Sequence, residues 1–271
     1  MKVFKFGGAS VKNALGVKNL LSVIKTVGYK DTLVVVSAMG KTTNALEKII
    51  DDYFKEKDKT PEGIYQLKEF HLSIIKELFE KNSFEIEELI NEIFDELISF
   101  LKSNKSPNYS FVYDQVVSYG EILSTKIIHH FIKFSGIDNF WLDSRNCIKT
   151  DEYYRAANLN WELTQKNIKD QVEKYSLIIA QGFIGSNSNN FTTTLGREGS
   201  DYSAAIFAYA LNATSVTIWK DVPGVLNGDP RVFQNTQLLN QISYREAIEL
   251  AFYGASVIHP KTLQPLQRKE I

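Results

Sequence analysis

Two stretches near the start of the chain constrain its fold more than any others: Lys2-Val3-Phe4-Lys5-Phe6 and Thr32-Leu33-Val34-Val35-Val36-Ser37. The second is an unbroken apolar run bounded by turn residues, and a strand of that kind has to be covered on both faces. Between the two, residues 11–27 repeat apolar side chains at Leu15, Leu20, Leu21 and Ile24, near helical spacing. Strand, helix and strand form a βαβ unit, which joins parallel strands. The remainder of the chain must then supply helices for two sides of a sheet.

Residues 43–134 read as almost wholly helical, with apolar faces over 44–56, 62–81, 84–103, 109–117 and 120–134. Pro61, Asn82, Ser103 and Pro107 punctuate them. After Gly136 the alternation resumes. Strands are expected at 139–142, 176–180 and 215–219, a hairpin over 183–194 and a small-residue helix over 200–211. Ser243, with Glu246 three residues on, has the capping-box pattern of a helix start. The expected architecture is α/β: three layers, α/β/α, around an open, mainly parallel central sheet, with a helix-rich sub-region at about 43–135. Ligands of such sheets sit at the carboxyl ends of the strands.

Composition narrows the function classes. A net charge of -1 gives no global field for nucleic acid or an anionic membrane, so neither is an expected partner. No apolar run approaches the ~20 residues that span a bilayer. The single cysteine, Cys147, excludes an internal disulfide and a cysteine-based metal cluster, and fits a cytoplasmic setting. No metal-ligating set is expected, since His129 and His130 are adjacent and no second histidine lies at ligand spacing.

The chemistry-bearing motifs fall at expected strand ends. Lys5-Phe6-Gly7-Gly8-Ala9-Ser10 carries a lysine from a strand into a double glycine. Glycines bring bare N–H groups close to an anion, so the stretch suits phosphate, although a plain turn into a helix has the same pattern. Gly40-Lys41-Thr42-Thr43 imitates the tail of a P-loop, but that motif needs a glycine where Val35 stands. The preceding Ser37-Ala38-Met39 still offers donors at a strand end. Gly196-Arg197-Glu198-Gly199-Ser200-Asp201 places an arginine before a helix N-terminus. That end favours anions, and arginine grips carboxylates with paired hydrogen bonds; Ser200 or Asp201 could also simply cap the helix. Glu121 begins a helix, where it either binds an ammonium group or complements the helix dipole. Lys220 to Arg231 is a proline- and glycine-bearing loop after a strand. His259, before Pro260, reads as a structural histidine.

Together these segments, with Gly254 to Pro260, resemble the catalytic domain of the aspartate kinases, in the amino-acid kinase family. The resemblance covers essentially the whole chain, and its six motifs stand in the family's order. It implies phosphoryl transfer from ATP, with Mg²⁺, to the β-carboxylate of L-aspartate, giving 4-phospho-L-aspartate, the first step toward lysine, threonine and methionine. It implies that Lys5 and Asp201 are catalytic, and that Thr43, Glu121, Arg197 and Ser200 hold the amino acid. It assigns Lys5, Gly7, Gly8, Ser10, Ser37, Lys220, Asp221, Leu226 and Arg231 to the nucleotide, with residues 196–271 as the nucleotide-binding part. A homodimer is a candidate assembly. The chain departs from the pattern at Ala9, Lys220, Leu226 and Ser256, which alters details of nucleotide contact. Paired C-terminal ACT domains, usual in such enzymes, are not expected within residues 1–271. Two other readings stay open: a kinase of the same fold acting on another small acid or a nucleotide, and a non-catalytic nucleotide or amino-acid binding module.

Overall fold

The computed structural model describes residues 1–254 and 258–271. Strand β1 (Lys2–Phe6) leads through helix α1 (Ala14–Val27) into β2 (Thr32–Val36). Five helices follow: α2 (Thr42–Lys55), α3 (Thr60–Phe79), α4 (Phe84–Ser103), α5 (Tyr109–Val117) and α6 (Tyr119–Phe134). Then come β3 (Phe140–Leu142), α7 (Ser144–Cys147), α8 (Trp161–Val172), β4 (Leu177–Gln181), β5 (Ile184–Ser186) and β6 (Thr192–Thr194). The chain continues through α9 (Gly199–Leu211), β7 (Ser215–Trp219), α10 (Tyr244–Phe252) and α11 (Pro260–Lys269).

The central sheet has the order β3-β4-β2-β1-β7, with every pairing parallel. β5 and β6 form a separate antiparallel hairpin. Side-chain alternation divides the interior in two. Phe4, Phe6, Val34, Val36, Leu177 and Ile179 face a core shared with the helices of residues 14–134. Val3, Leu33, Val35, Ile178 and Ala180 face a second core with α8, α9 and α11. Three layers result, as the sequence predicts. The alternation also fixes the position of Lys5: two residues after Val3, it lies on the α9 side of the sheet.

Two details differ from the sequence reading. Leu15 is 71% exposed; the buried stripe of α1 is Ala14, Val17, Leu20, Leu21 and Ile24. Asn13 caps the start of the helix, its side chain accepting from the Gly16 N–H. Helix α8 is absent from the sequence reading because its buried face is sparse, comprising Thr164, Ile168 and Val172. Its start is signalled by the Asn160 side chain, which accepts from the Leu163 N–H. The expected capping box at Ser243 and Glu246 is formed in full. No described helix is long and apolar enough to cross a membrane.

Candidate active site

The carboxyl ends of β1, β2, β4 and β7 open onto one cavity of about 600 Å³. Its closeness to the sheet depends on Gly8. A Cβ there would stand 2.6 Å from the Ala38 carbonyl oxygen, and the Gly40 N–H donates to the Gly8 carbonyl at 3.0 Å. The two strand-end loops can interlock only without that side chain. Ser37 is pinned in the same region: its N–H donates to the Phe6 carbonyl, and its own carbonyl accepts from Ser124 Oγ.

Lys5 and Asp201 meet on the cavity floor. Lys5 Nζ lies 2.6 Å from Asp201 Oδ1, and Lys220 Nζ lies 3.1 Å from Asp201 Oδ2. Lys5 and Asp201 are buried, so water screens the cluster little. One carboxylate thus holds two ammonium groups, leaving a net positive charge at the carboxyl edge of β1 and β7. Asp201 sits in the first turn of α9, where the dipole favours its charge. Neither Ser200 nor Asp201 caps α9. The N-cap is Glu198, in the left-handed region at φ 53°, and it makes no side-chain capping bond. The N-terminal N–H groups of α9 therefore have no side-chain cap.

In the same cavity, α6 buries Glu121, which is 3% exposed. Oε1 accepts from the Ala38 N–H at 3.2 Å, whereas Oε2 has no partner among the described residues. Burial drives its pKa up to about 8, and the Ala38 hydrogen bond and the Lys5 charge only partly oppose that rise. A carboxylate in this state lacks a cation. The favourable helix-dipole reading does not account for it, because the first-turn placement leaves one oxygen buried and unpaired.

Thr43, Arg197 and Ser200 also line the cavity, as do Ser37, Gly8 and Lys220. Arg197 stands between Gly196 at φ 79° and Glu198 at φ 53°. Two left-handed residues turn the chain sharply there and present the guanidinium at the cavity. Gly7 and Ser10 are not part of the lining, although a Cβ on Gly7 would lie 3.4 Å from Lys5 Nζ. Gly7 precedes the short helical turn Gly8–Val11, and Ser10 Oγ donates to the Trp219 carbonyl, tying the β1 loop to the end of β7. Asp221, Leu226 and Arg231 lie outside the lining. Leu226 pairs with Leu238 in an isolated antiparallel bridge, and exposed Arg231 binds Asp229 in its own loop at 2.7 Å. Within the sixth motif, His259 caps α11 by accepting from the Lys261 N–H. Ser256 falls outside the described residues.

Three cavity residues carry no signal in the sequence, Tyr113, Arg155 and Phe183, and a fourth, Glu198, stands inside the 196–201 motif without a role assigned to it. Phe183, Arg155 and Glu198 share positive φ values of 70°, 70° and 53°. Arg155 and Phe183 are held by tertiary contacts, with Asp114 and Ser203, so no local residue pattern marks them. Gly182 and Gly199 mark the crowding: a Cβ on Gly182 would meet Ser200 Cβ at 2.5 Å, and one on Gly199 would meet the Phe183 ring at 2.7 Å.

Comparison with known proteins agrees with this geometry. The model of the amino acid kinase family matches residues 1–271. The bifunctional aspartokinase/homoserine dehydrogenase of Buchnera aphidicola is 33% identical over 282 residues, covering 100% of this chain and 34% of that protein. The lysine-sensitive aspartokinase 3 of Escherichia coli is 32% identical, covering 99% of this chain and 60% of that protein. The crystal structure of E. coli aspartokinase III in complex with aspartate and ADP superposes with a TM-score of 0.90, at 30% identity, over 99% of this chain and 60% of that one. This chain spans between about a third and three fifths of the length of these relatives. Sheet order, strand-end cavity and similarity over the full length agree: the chain belongs to the amino acid kinase family.

Proposed function

We propose that the cavity transfers the γ-phosphoryl group of ATP to the side-chain carboxylate of L-aspartate, giving 4-phospho-L-aspartate and ADP. The observation that carries this reading is the charge arrangement across one cavity. Cations gather at the β1–β7 edge, around Lys5 and Lys220. A buried carboxylate oxygen without a partner, Glu121 Oε2, lies in the same cavity together with a guanidinium, Arg197. An amino acid with an ammonium group and a spare carboxylate complements the second set, and a polyphosphate complements the first. The relatives named for aspartokinase activity, and the E. coli enzyme in complex with aspartate and ADP, support the same assignment.

The chemistry asks little of the protein as an acid or base. The attacking carboxylate is ionised at neutral pH, with a reference pKa of ~3.9. One of its oxygens forms a bond to the γ-phosphorus as the bond to the ADP oxygen breaks, and no proton has to move. Catalysis then consists of alignment and neutralisation of charge on the transferred group. Lys5 and Lys220 supply positive charge to the phosphoryl oxygens. Asp201 keeps both ammonium groups on one point, and the dipole at the start of α9 adds to the positive field there. Glu121 receives the amino acid's ammonium group, Arg197 a carboxylate, and Thr43 and Ser200 hydroxyls complete that end. Gly7, Gly8, Ser10 and Ser37 shape the phosphate side, while Asp221, Leu226 and Arg231 belong to a loop beside it that serves the nucleoside.

Mg²⁺ fits this donor set as an ion carried chiefly by phosphate oxygens, since Mg²⁺ commonly uses one or two carboxylates beside substrate phosphates and water. Both Asp201 oxygens face lysines; Glu198, which lines the cavity and has Oε2 unpartnered among the described residues, is the carboxylate open to it. When bound, the ion neutralises phosphate charge.

The test is aspartate-dependent ADP release, with hydroxylamine trapping of the acyl phosphate. The reading expects both with L-aspartate. ADP release with another small acid and none with aspartate would redirect it to a sister kinase; ATP binding without turnover would make the chain a binding module.

A further inference from the structure

Arg155 enters none of the roles above, yet the fold holds it at the cavity against its own backbone preference. Its φ of 70° lies in the left-handed region, which a long L side chain adopts only under constraint. The constraint is Asp114 of α5, which is completely buried. Its two carboxylate oxygens accept the Arg155 N–H at 3.1 and 3.0 Å, the Thr194 N–H at 2.8 Å and the Thr194 hydroxyl at 2.8 Å. One buried carboxylate thus ties α5, β6 and the Arg155 loop together. The loop also abuts the segment that carries Arg197: a Cβ on Gly196 would stand 3.2 Å from the Arg155 carbonyl oxygen. The two arginines therefore rise from touching backbones, and both line the cavity.

The side chain is placed as well as the backbone. The Arg155 guanidinium lies over the Tyr113 ring, 4.5 Å from its centre, and 5.8 Å from that of Tyr109. Tyr113 is itself fixed, donating through its hydroxyl to Glu47 at 2.8 Å. Stacking on a ring face orients a guanidinium while leaving its edge donors free for a planar anion. Among the described residues Arg155 forms no ion pair. It rises beside α5 and β6, from the loop that Asp114 anchors.

We propose that Arg155 is a second carboxylate-binding residue at the acceptor end, sharing with Arg197 the carboxylate of the amino acid that does not react. The inference rests on the acceptor being a dicarboxylic amino acid, as proposed above. Two guanidiniums on one carboxylate make the α-carboxylate a requirement for recognition. The site would then reject an acceptor whose α-carboxylate is replaced by a neutral amide, because the two cations would be left facing each other without an anion.

The test compares the unaltered enzyme with Arg155→Gly and Arg155→Lys, using L-aspartate and L-aspartate α-amide as acceptors. Glycine adopts the left-handed conformation freely, so Arg155→Gly keeps the fold, which thermal unfolding verifies. The KM for aspartate is expected to rise about tenfold, while the KM for ATP and kcat at saturating aspartate change by less than about threefold. The preference for aspartate over the α-amide should fall by about the same tenfold, and Arg155→Lys should restore part of it. A purely structural role would move both acceptors alike and leave the preference unchanged. If the unaltered enzyme uses aspartate and Arg155→Gly has the same aspartate KM and the same preference, the inference is wrong and the proposed function stands. If the unaltered enzyme does not phosphorylate aspartate, both are wrong.

Discussion

The two ends of the proposed site, one in the cavity for the acceptor and one in the loop beside it for the nucleoside, are built differently. The acceptor end is made from buried elements: Glu121 lies inside α6, Asp114 inside α5, and Arg197 follows β6, held by tight glycine contacts. The loop expected to serve the nucleoside, residues 221–240, is largely exposed and closes on itself through Leu226–Leu238 and Asp229–Arg231. The difference suits the two tasks. Aligning a carboxylate with a phosphorus atom demands positions fixed to a fraction of an ångström, whereas holding a nucleoside tolerates a surface loop. Buried polar groups also carry larger free energies than exposed ones, so substitutions in the cavity should outweigh those in the loop.

The largest effect is expected at the floor that joins the two ends. Lys5→Ala should lower kcat by about 10³-fold, the scale of removing one preorganised electrostatic donor, with a small change in the KM for aspartate. Steady-state kinetics checks the split; a change confined to KM would move Lys5 from chemistry to binding. Next, Arg197→Ala should reduce kcat/KM for aspartate by about 10²-fold and leave the KM for ATP nearly unaltered. An equal loss for both substrates would break the division into two ends.

Gly8→Ala tests the interlocked loops beneath both ends. The added Cβ meets backbone, which cannot swing away, so a loss of about 1–3 kcal/mol is expected. For a chain of this size that lowers Tm by roughly 2–4 °C per kcal/mol. An unchanged Tm would show that the two loops separate easily.

Glu121 gives the acceptor end a proton signature. With a pKa of about 8 it is mainly protonated in the free enzyme at neutral pH, whereas an ammonium-bearing ligand requires the carboxylate. Aspartate binding should therefore release up to about one proton near neutral pH, measured by calorimetry in buffers of different ionisation enthalpy, and Glu121→Gln should remove the release. The stability consequence has the same sign. The folded pKa is raised above the unfolded one, so the contribution of protonated Glu121 is complete below the unfolded value and is lost as pH rises through about 8. Tm of the free enzyme should fall across that range, and less so in Glu121→Gln. The smallest effect is expected in the exposed loop. Arg231→Ala should change the KM for ATP by less than about threefold, because its visible partner is Asp229 in the same surface loop. A tenfold rise would show that the loop rearranges onto the nucleotide.

Much of this was legible in the sequence, for identifiable reasons. Strand β2 is apolar throughout because both of its faces are covered, and helices α2 to α6 carry strong amphipathic patterns between breakers. The motifs at Lys5, Glu121 and Gly196 to Asp201 stand at element ends, where short signals survive. The buried face of α1 was legible at Leu20, Leu21 and Ile24 but not at its first turn, where Ala14 and Val17 are buried and Leu15 is exposed. Nor was the placement of Arg155 and Phe183, whose left-handed backbones are held by partners distant in sequence, Asp114 and Ser203. Arg231 and Leu226, which the resemblance assigns to the nucleotide, make the Asp229 and Leu238 contacts within their own loop.

The central claim is that the acceptor's own side-chain oxygen attacks phosphorus, aligned by Glu121 and Arg197 against the Lys5–Asp201–Lys220 cluster. It is tested most directly by phosphorus NMR on turnover with aspartate carrying a heavy oxygen isotope in its β-carboxylate. The account predicts an acyl-phosphate resonance displaced by the isotope in the bridging position, absent with unlabelled aspartate. ADP formation accompanied only by unshifted inorganic phosphate would contradict it.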